Sequence, residues 1–293
     1  MGDELMKFKI SERNQGILYI IIAGFFFANM TFFIRLAGDV PTMQKAFFRN
    51  IVAAVVSVII LLRTAEGLRI KKTSYGDLAF RCICGTSGLI CNFFAIDHMN
   101  ISDANILNKL SPFFAVIFSI FILKEKVSKV QWTTIIVAFI GALFIVKPSF
   151  NSDVIYGIAG VLGGLGAGIA YTFVRKLGGK GERGPVIVMC FSTFSCIVTL
   201  PSLIFNYLPM QWWQLGSLLL AGVAATGGQL SITKAYTKAP AKEISVFDYT
   251  QVIFAALLGF IFLKQIPDIL SVIGYIIIIG VAIFQYIKRA EKN

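Results

Sequence analysis

Two stretches of this chain resemble each other: NILNKLSPFFAVIFSIFILK at residues 105–124 and SVFDYTQVIFAALLGFIFLK at residues 245–264. Each begins with polar residues, continues with an almost wholly apolar run and ends in Leu-Lys. The similarity continues outside these stretches, because the same shift of roughly 140 positions places Gly88 on Gly228. Self-similarity over such a length indicates a duplicated structural unit.

The composition indicates an integral membrane protein. Hydrophobic residues make up 57% of the 293 residues, charged residues 14%, and the mean hydropathy is +0.78. That is more apolar surface than one soluble core could bury, so we expect a lipid bilayer to solvate the excess. The 27 Lys and Arg outnumber the 15 Asp and Glu, but they lie in short loops between apolar runs. This pattern favours lipid headgroups over nucleic acid as the partner.

The apolar runs predict ten transmembrane helices, since about 20 residues of helix are needed to cross the hydrocarbon core. No soluble domain fits between them, so we predict an all-α membrane protein. The predicted spans are 15–36, 41–63, 77–97, 102–123, 130–147, 154–176, 185–207, 212–236, 242–263 and 267–287.

The distribution of cations predicts the orientation of the spans. With the N-terminus in the cytoplasm, most of the 27 Lys and Arg fall in cytoplasmic segments, which places both termini inside. We expect the bacterial cytoplasmic membrane as the location. A unit of five spans is odd, so its second copy must enter from the opposite side. The chain is therefore predicted to form two inverted five-helix repeats, residues 1–147 and 148–293, within one transport domain.

The sequence lacks the signals of enzymes and metal sites. It has one histidine, His98, and its five cysteines all fall within predicted spans without metal-ligand spacing. No phosphate-binding loop or dinucleotide glycine pattern follows a predicted strand. We therefore expect no catalytic residues, no cofactor and no bound metal.

Polar residues recur at the same place in the two copies. Asn105, Asn108 and Lys109 lead into Pro112 in the fourth span, at the spacing of one helical face, whereas the ninth span has Asp248, Tyr249 and Gln251. An ionised side chain within a span costs a few kcal/mol, so it should face the protein interior or a wet cavity. We predict that these residues line one central cavity and bind substrate, with Asp248 as the carboxylate that would carry a coupled proton.

Helix geometry predicts on the order of 10 Å between Lys109 and Asp248 if both spans are straight. Such a gap would suit a zwitterionic ligand with its anionic end near Lys109 and its cationic end near Asp248. The alternative is that each charge is neutralised by a protein neighbour, Asp97 for Lys109 or Arg81 for Asp248.

Other spans offer further interior residues. Arg81, Gly85, Gly88 and Asn92 form one stripe of the third span, and Gln229 lies on the matching stripe of the eighth. Arg49 could bind a carboxylate or phosphate, or extend to the membrane surface. The glycines at 160, 164 and 168 predict a close helix contact, which could be static or a sliding surface. The predicted substrate-binding residues beyond the fourth and ninth spans are Asn29, Arg49, Asn92, Tyr171 and Gln229.

Several short features follow one another along the chain: Gly16, Phe48-Arg49, the stretch 95–108 before Pro112, and Leu123-Lys124-Glu125-Lys126. In this order they resemble the EamA-type branch of the drug/metabolite transporter superfamily over nearly the whole chain. The last feature is similar to the family's L-G-E-R, and the second copy has Gln265 at the acidic position.

The resemblance implies secondary transport of a small polar or zwitterionic metabolite, such as an amino acid, often outward and by alternating access. A carrier or flippase of amphipathic lipids and an uncoupled facilitator remain alternatives of the same fold. We expect a monomer or a weak homodimer.

Overall fold

The computed structural model describes residues 11–98, 107–146, 154–264, 266 and 268–290, and every regular element in those ranges is helical. Eight helical segments, among them Ala241–Phe262, are long and apolar enough to span a membrane, and Ser111–Leu123 and Lys129–Phe144 are shorter apolar helices, so the predicted ten spans fit this all-helical membrane protein. The helices are α1 (Glu12–Leu36), α2 (Thr42–Leu62), α3 (Tyr75–His98), α4 (Ser111–Leu123), α5 (Lys129–Val146), α6 (Val154–Gly179), α7 (Gly184–Phe205), α8 (Trp212–Lys238), α9 (Thr250–Leu263) and α10 (Ile269–Ala290).

The fourth and ninth spans are not the continuous helices that we predicted. The backbone leaves the α-helical path at residues 109–110, just before α4, and passes through a 3-10 segment, Ser245–Tyr249, just before α9. Pro112 therefore lies in the first turn of α4 and does not interrupt it, because a proline there sacrifices no intrahelical hydrogen bond. Pro201, in contrast, lies inside α7.

Both of these spans also end in the same way. The C-cap residues Lys124 and Lys264 each have φ of +54°, in the left-handed region. Their backbone N–H groups donate to the carbonyl oxygens of Ser119 and Gly259. Glycine is the residue that adopts this conformation without cost, which explains the glycine of the family's L-G-E-R ending. Gln265 lies outside the described residues.

The helices pack mostly against helices of the other half of the chain. The main contacts are α1 with α8, α3 with α6, α2 with α7, α5 with α10, α4 with α6, and α1 with α9. The predicted glycine face of α6 lies against α4, where a Cβ on Gly168 would be 2.8 Å from the backbone nitrogen of Ala115. A neighbouring face of α6 touches α3, and a Cβ on Gly88 would be 2.9 Å from the carbonyl oxygen of Gly163. Only glycine lets these backbones approach so closely.

One face of the molecule is held by ion pairs between loops. We call it the N-terminal face, since α1 begins and α10 ends there, with an Arg13 guanidinium 3.5 Å from the carbonyl oxygen of Tyr286. Asp77, at the start of α3, binds Lys176 at 3.0 Å and Lys180 at 2.6 Å, both on or next to the end of α6. Further pairs at this face are Arg183–Glu66 at 3.1 Å, Lys238–Glu12 at 2.9 Å, Arg13–Glu243 at 3.7 Å and Arg175–Glu125 at 3.8 Å.

The acid of the first-copy ending belongs to this network. Glu125, in the loop after α4, faces Arg175, and burial raises the pKa of its carboxyl group although Lys242 and Arg175 oppose the shift. Its backbone N–H donates to the carbonyl oxygen of Ser119 at 3.2 Å. These contacts fix the turn between α4 and α5.

Candidate functional site

The polar residues before α4 and α9 meet in the interior of the helix bundle. The Lys109 ammonium lies 3.1 Å from the Asp248 carboxylate and 2.7 Å from the side-chain oxygen of Gln251. Only 13% of the Lys109 side chain and 7% of the Asp248 side chain are exposed. At such burial the two charges need each other, because an isolated ion in a medium of low polarity is very costly.

The two helix breaks complete each other's hydrogen bonds. Where a helix is interrupted, backbone carbonyl groups lose their intrahelical donors and need others within the membrane. The Lys109 ammonium lies 3.4 Å from the Asp248 carbonyl oxygen, and the Tyr249 hydroxyl donates to the Lys109 carbonyl oxygen at 3.0 Å. Each interrupted segment thus supplies a side-chain donor to a carbonyl group of the other. Tyr249, which we predicted to bind substrate, is fully buried, and its hydroxyl stabilises this junction.

This geometry corrects the predicted separation of Lys109 and Asp248. The estimate on the order of 10 Å assumed two straight helices rising about 1.5 Å per residue, and both helices are in fact interrupted at these residues. A direct ion pair results, so no ligand is needed to bridge the two charges in this conformation. The neighbour that neutralises Asp248 is thus Lys109 and not Arg81, the alternative partner considered from sequence. The Arg81 side chain bonds to Gln229.

Arg81 lies in a pocket formed by three helices. Its Nη2 donates to the side-chain oxygen of Gln229 on α8 at 3.3 Å, and its guanidinium carbon lies 4.0 Å from the ring centre of Phe191 on α7. A Cβ at Gly85, one turn along α3, would collide with Nη1. Only 2% of Arg81 is exposed, and its Nε has no hydrogen-bond partner among the described residues.

Arg49, on α2, is the second buried arginine. It is 7% exposed, its Nε has no partner, and no described residue forms an ion pair with it. It therefore does not extend to the membrane surface, which was the alternative open from sequence. The guanidinium groups of Arg49 and Arg81 lie within electrostatic range of each other, and Tyr171 lies within range of both.

Tyr171 joins the arginines to the ion pair. Its ring stacks on Tyr236 with centroids 4.9 Å apart, and its hydroxyl is within electrostatic range of Asp248 as well as of both arginines. Unlike Tyr236 and Tyr249, which are almost fully buried, Tyr171 is partly accessible. Tyr171 is therefore near both an internally neutralised pair and two cations that lack a counter-ion among the described residues.

The other predicted site residues have different positions. Asn29 donates to the carbonyl oxygen of Phe25 at 2.9 Å within its own helix, which uses one of the two N–H donors of its amide. Asn92 is buried against Gly163, and its side-chain oxygen has no partner among the described residues. The carbonyl oxygen of Asn108 lies near Gly164 of α6. Asn105 lies outside the described residues.

Phe191 and Tyr236 belong to the site but were not predicted. In sequence they are indistinguishable from the other Phe and Tyr residues of the chain, which has 27 Phe and 9 Tyr. Arg81 was named as part of a stripe on the third span but not among the predicted substrate-binding residues. The signal that could have identified it is its charge within a membrane span.

A separate groove lies between α5 and α10, near the N-terminal face. Lys129 and Lys288 lie at this groove, and Thr133, Thr134 and Phe284 are among its lining residues. None of the central charged residues lines it.

Comparison with known proteins identifies the family. The model of the EamA-like transporter family matches residues 14–147 and again residues 155–286. The chain is 30% identical over 281 residues to the pseudopaline exporter CntI of Pseudomonas aeruginosa, covering 95% of this chain and 97% of that one. It is also 25% identical over 291 residues to human solute carrier family 35 member G1, covering 94% and 79% of the two chains. A solved crystal structure with 14% identity superposes with a TM-score of 0.80 over 91% of this chain and 95% of that chain, which indicates a shared fold. With two family matches that together cover most of its length, this chain belongs to the EamA-like transporter family of the drug/metabolite transporter superfamily.

Proposed function

We propose that the protein is a secondary transporter that exports a small zwitterionic metabolite of the amino-acid class across the cytoplasmic membrane, with both chain termini inside. The observation that carries this proposal is the buried Lys109–Asp248–Gln251 cluster, built from corresponding points of the two copies. Ionised groups inside membrane spans are costly and mark the paths of polar substrates. Interrupted helices at the centre of a duplicated fold are typical of such binding sites.

Alternating access through two inverted repeats is supported by the helix contacts. If the repeats are equivalent, α1 corresponds to α6, α2 to α7 and so on to α5 and α10. The contact of α1 with α8 then corresponds to the contact of α6 with α3, and the contact of α4 with α6 to the contact of α9 with α1. The α2–α7 and α5–α10 contacts map onto themselves. A pair of equivalent halves can exchange conformations around a shared site. The ion pairs of Asp77 with Lys176 and Lys180 would then have to open when the N-terminal face opens.

The relatives support outward transport. The similar Pseudomonas protein is named an exporter, and it aligns with nearly the whole of this chain. Extending that direction and a related substrate chemistry to this protein is part of our proposal.

A counterflow experiment in proteoliposomes tests the proposal. Vesicles with purified protein are loaded with one unlabelled amino acid or amino-acid derivative at a time, and entry of the labelled compound is measured. We expect counterflow for at least one zwitterionic compound and its loss in the double variant Lys109→Gln/Asp248→Asn, which can keep hydrogen bonds but lacks the charges. Arg35→Met, which removes an exposed cation at the end of α1, is the matched control and should transport normally. Undiminished counterflow by the folded double variant would exclude the ion pair from the mechanism.

Asp248 is our candidate for proton coupling, because a carboxylate bound to a lysine can take up a proton when that lysine moves away. An imposed pH gradient should drive transport by the normal protein. It should have no effect on transport by the Asp248→Asn variant, provided that the variant retains counterflow. An internal pH-sensitive dye measures the accompanying proton flux. Equal proton flux in both proteins would exclude this role.

The groove between α5 and α10 is the one observation that favours the lipid-carrier alternative, since Lys129 and Lys288 could attract an anionic headgroup. It is lined by other residues than the central cluster, so it offers a lipid no path past Lys109 and Asp248. Lipid scrambling in protein-containing vesicles that show no amino-acid counterflow would favour this alternative.

A further inference from the structure

Two buried cations near the centre of the molecule have no counter-ion within the part of the chain that the structure describes. Arg49 is 93% and Arg81 is 98% removed from solvent, as their exposed fractions of 7% and 2% show. An arginine stays charged under all ordinary conditions, so it cannot escape the cost of burial by losing its proton. Buried charges in proteins are therefore paired or bind ions.

The hydrogen-bond capacity of these residues is largely unused. A guanidinium group has five N–H donors. Among the described residues, Arg81 places one on Gln229, and Arg49 makes none. The Nε atoms of both, each part of the edge that binds a carboxylate through two parallel bonds, lack partners.

The surroundings hold the arginines in place without neutralising them. Phe191 offers the face of its ring to Arg81, an attraction that leaves the donors at the edge of the guanidinium group available. Glycine at position 85 leaves room for this arrangement. Tyr171 is a neutral hydroxyl, and Asp248 is already bound by Lys109. The region around Tyr171 thus has a surplus of two positive charges among the described residues.

We propose that Arg49 and Arg81 form a subsite for two carboxylate groups of the substrate. This inference rests on the proposed function and narrows its substrate class to dicarboxylic amino acids and their derivatives. Each arginine binds one carboxylate, and Tyr171 contacts the substrate between them. The described residues lack the negative charge that would balance this region, so the substrate provides it.

Binding to the purified protein in detergent tests this assignment with compounds that differ by one charge. L-Glutamate and glutarate should raise the melting temperature, whereas L-glutamine should bind roughly 10- to 100-fold more weakly, because it lacks one charge-assisted interaction. Arg49→Met and Arg81→Met should each abolish the glutamate-dependent shift, and Arg35→Met should retain it. Without ligand, the Arg49→Met and Arg81→Met variants should melt at temperatures no lower than that of the normal protein. This measurement separates a loss of binding from a loss of folding.

Three results would overturn the subsite. They are equal affinity for glutamate and glutamine, stabilisation by inorganic phosphate with none by glutamate or glutarate, and an unchanged glutamate shift in both arginine variants. The failure of the proposed function looks different, because glutamate would then bind with the expected arginine dependence while no amino acid gives counterflow. Counterflow of neutral amino acids without glutamate binding would retain the transporter and reject the two-carboxylate subsite.

Discussion

The interior contains two pairs of ionised residues that differ in how their charge is balanced. Lys109 and Asp248 carry opposite charges, lie 3.1 Å apart and share Gln251 as a further partner. Arg49 and Arg81 carry like charges, and among the described residues only Arg81 has a hydrogen bond. The first pair is complete without a ligand and stabilises the junction of α4 and α9. The second pair is also buried but lacks such partners. Burial alone therefore does not tell whether a charged residue serves structure or binding. The decisive observation is whether its partners are already present.

Breaking the complete pair should have the largest effect. We expect Lys109→Met to lower the free energy of unfolding by about 3–5 kcal/mol, because Asp248 is left as a buried charge without its partner. Thermal unfolding followed by tryptophan fluorescence measures this loss. The double variant Lys109→Met/Asp248→Leu should recover most of it, and a single variant as stable as the normal protein would show that the pair does not hold the junction.

Removing a charge from the incomplete pair should have the opposite sign. Arg49→Met is expected to raise the stability of the ligand-free protein by roughly 1–4 kcal/mol, the range found when buried ionic groups are replaced by apolar ones of similar size. The same unfolding assay applies. A loss of stability comparable to that of Lys109→Met would mean that Arg49 has a structural partner, and the contrast between the pairs would disappear.

The packing around Arg81 offers a smaller perturbation. In Gly85→Ala the new methyl group displaces the guanidinium group and touches Phe191, so we expect glutamate affinity to fall about tenfold with a stability loss of roughly 1–2 kcal/mol. Gly216→Ala, in open space on α8, is the matched control and should slightly stabilise its helix. Equal affinity in the Gly85 variant and the control would show that the position of Arg81 does not matter.

Tyr249→Phe should have the smallest effect. It removes the hydroxyl that donates to the Lys109 carbonyl oxygen and leaves that acceptor with one bond fewer, which costs about 1 kcal/mol. Glutamate affinity should not change, since Tyr249 belongs to the complete pair. A large affinity loss in a normally stable protein would place Tyr249 at the substrate after all.

The sequence predicted the helices and named residues that lie together in the structure, but it did not predict how they meet. Hydropathy located all ten apolar segments, and their costly polar residues pointed to Lys109, Asp248 and Arg49. The direct contact of Lys109 with Asp248 escaped prediction because it depends on two local departures from helical geometry. Gln251 was predicted as part of the site, but its bond to Lys109 follows from the same break. The partners of Arg81 come from two distant helices, and no periodicity within α3 could reveal Phe191.

The reciprocal bonds at the two helix breaks have an evolutionary consequence. Residue 108 corresponds to 248, and 109 to 249, so the ion pair joins residue 109 of the first copy to the counterpart of residue 108 in the second. The two symmetry-equivalent positions, Asn108 and Tyr249, hold uncharged side chains. Two identical chains related by a twofold axis would have either two such charged pairs or none. A single, one-sided charged pair at the centre therefore requires both copies to be part of one polypeptide, in which they can differ.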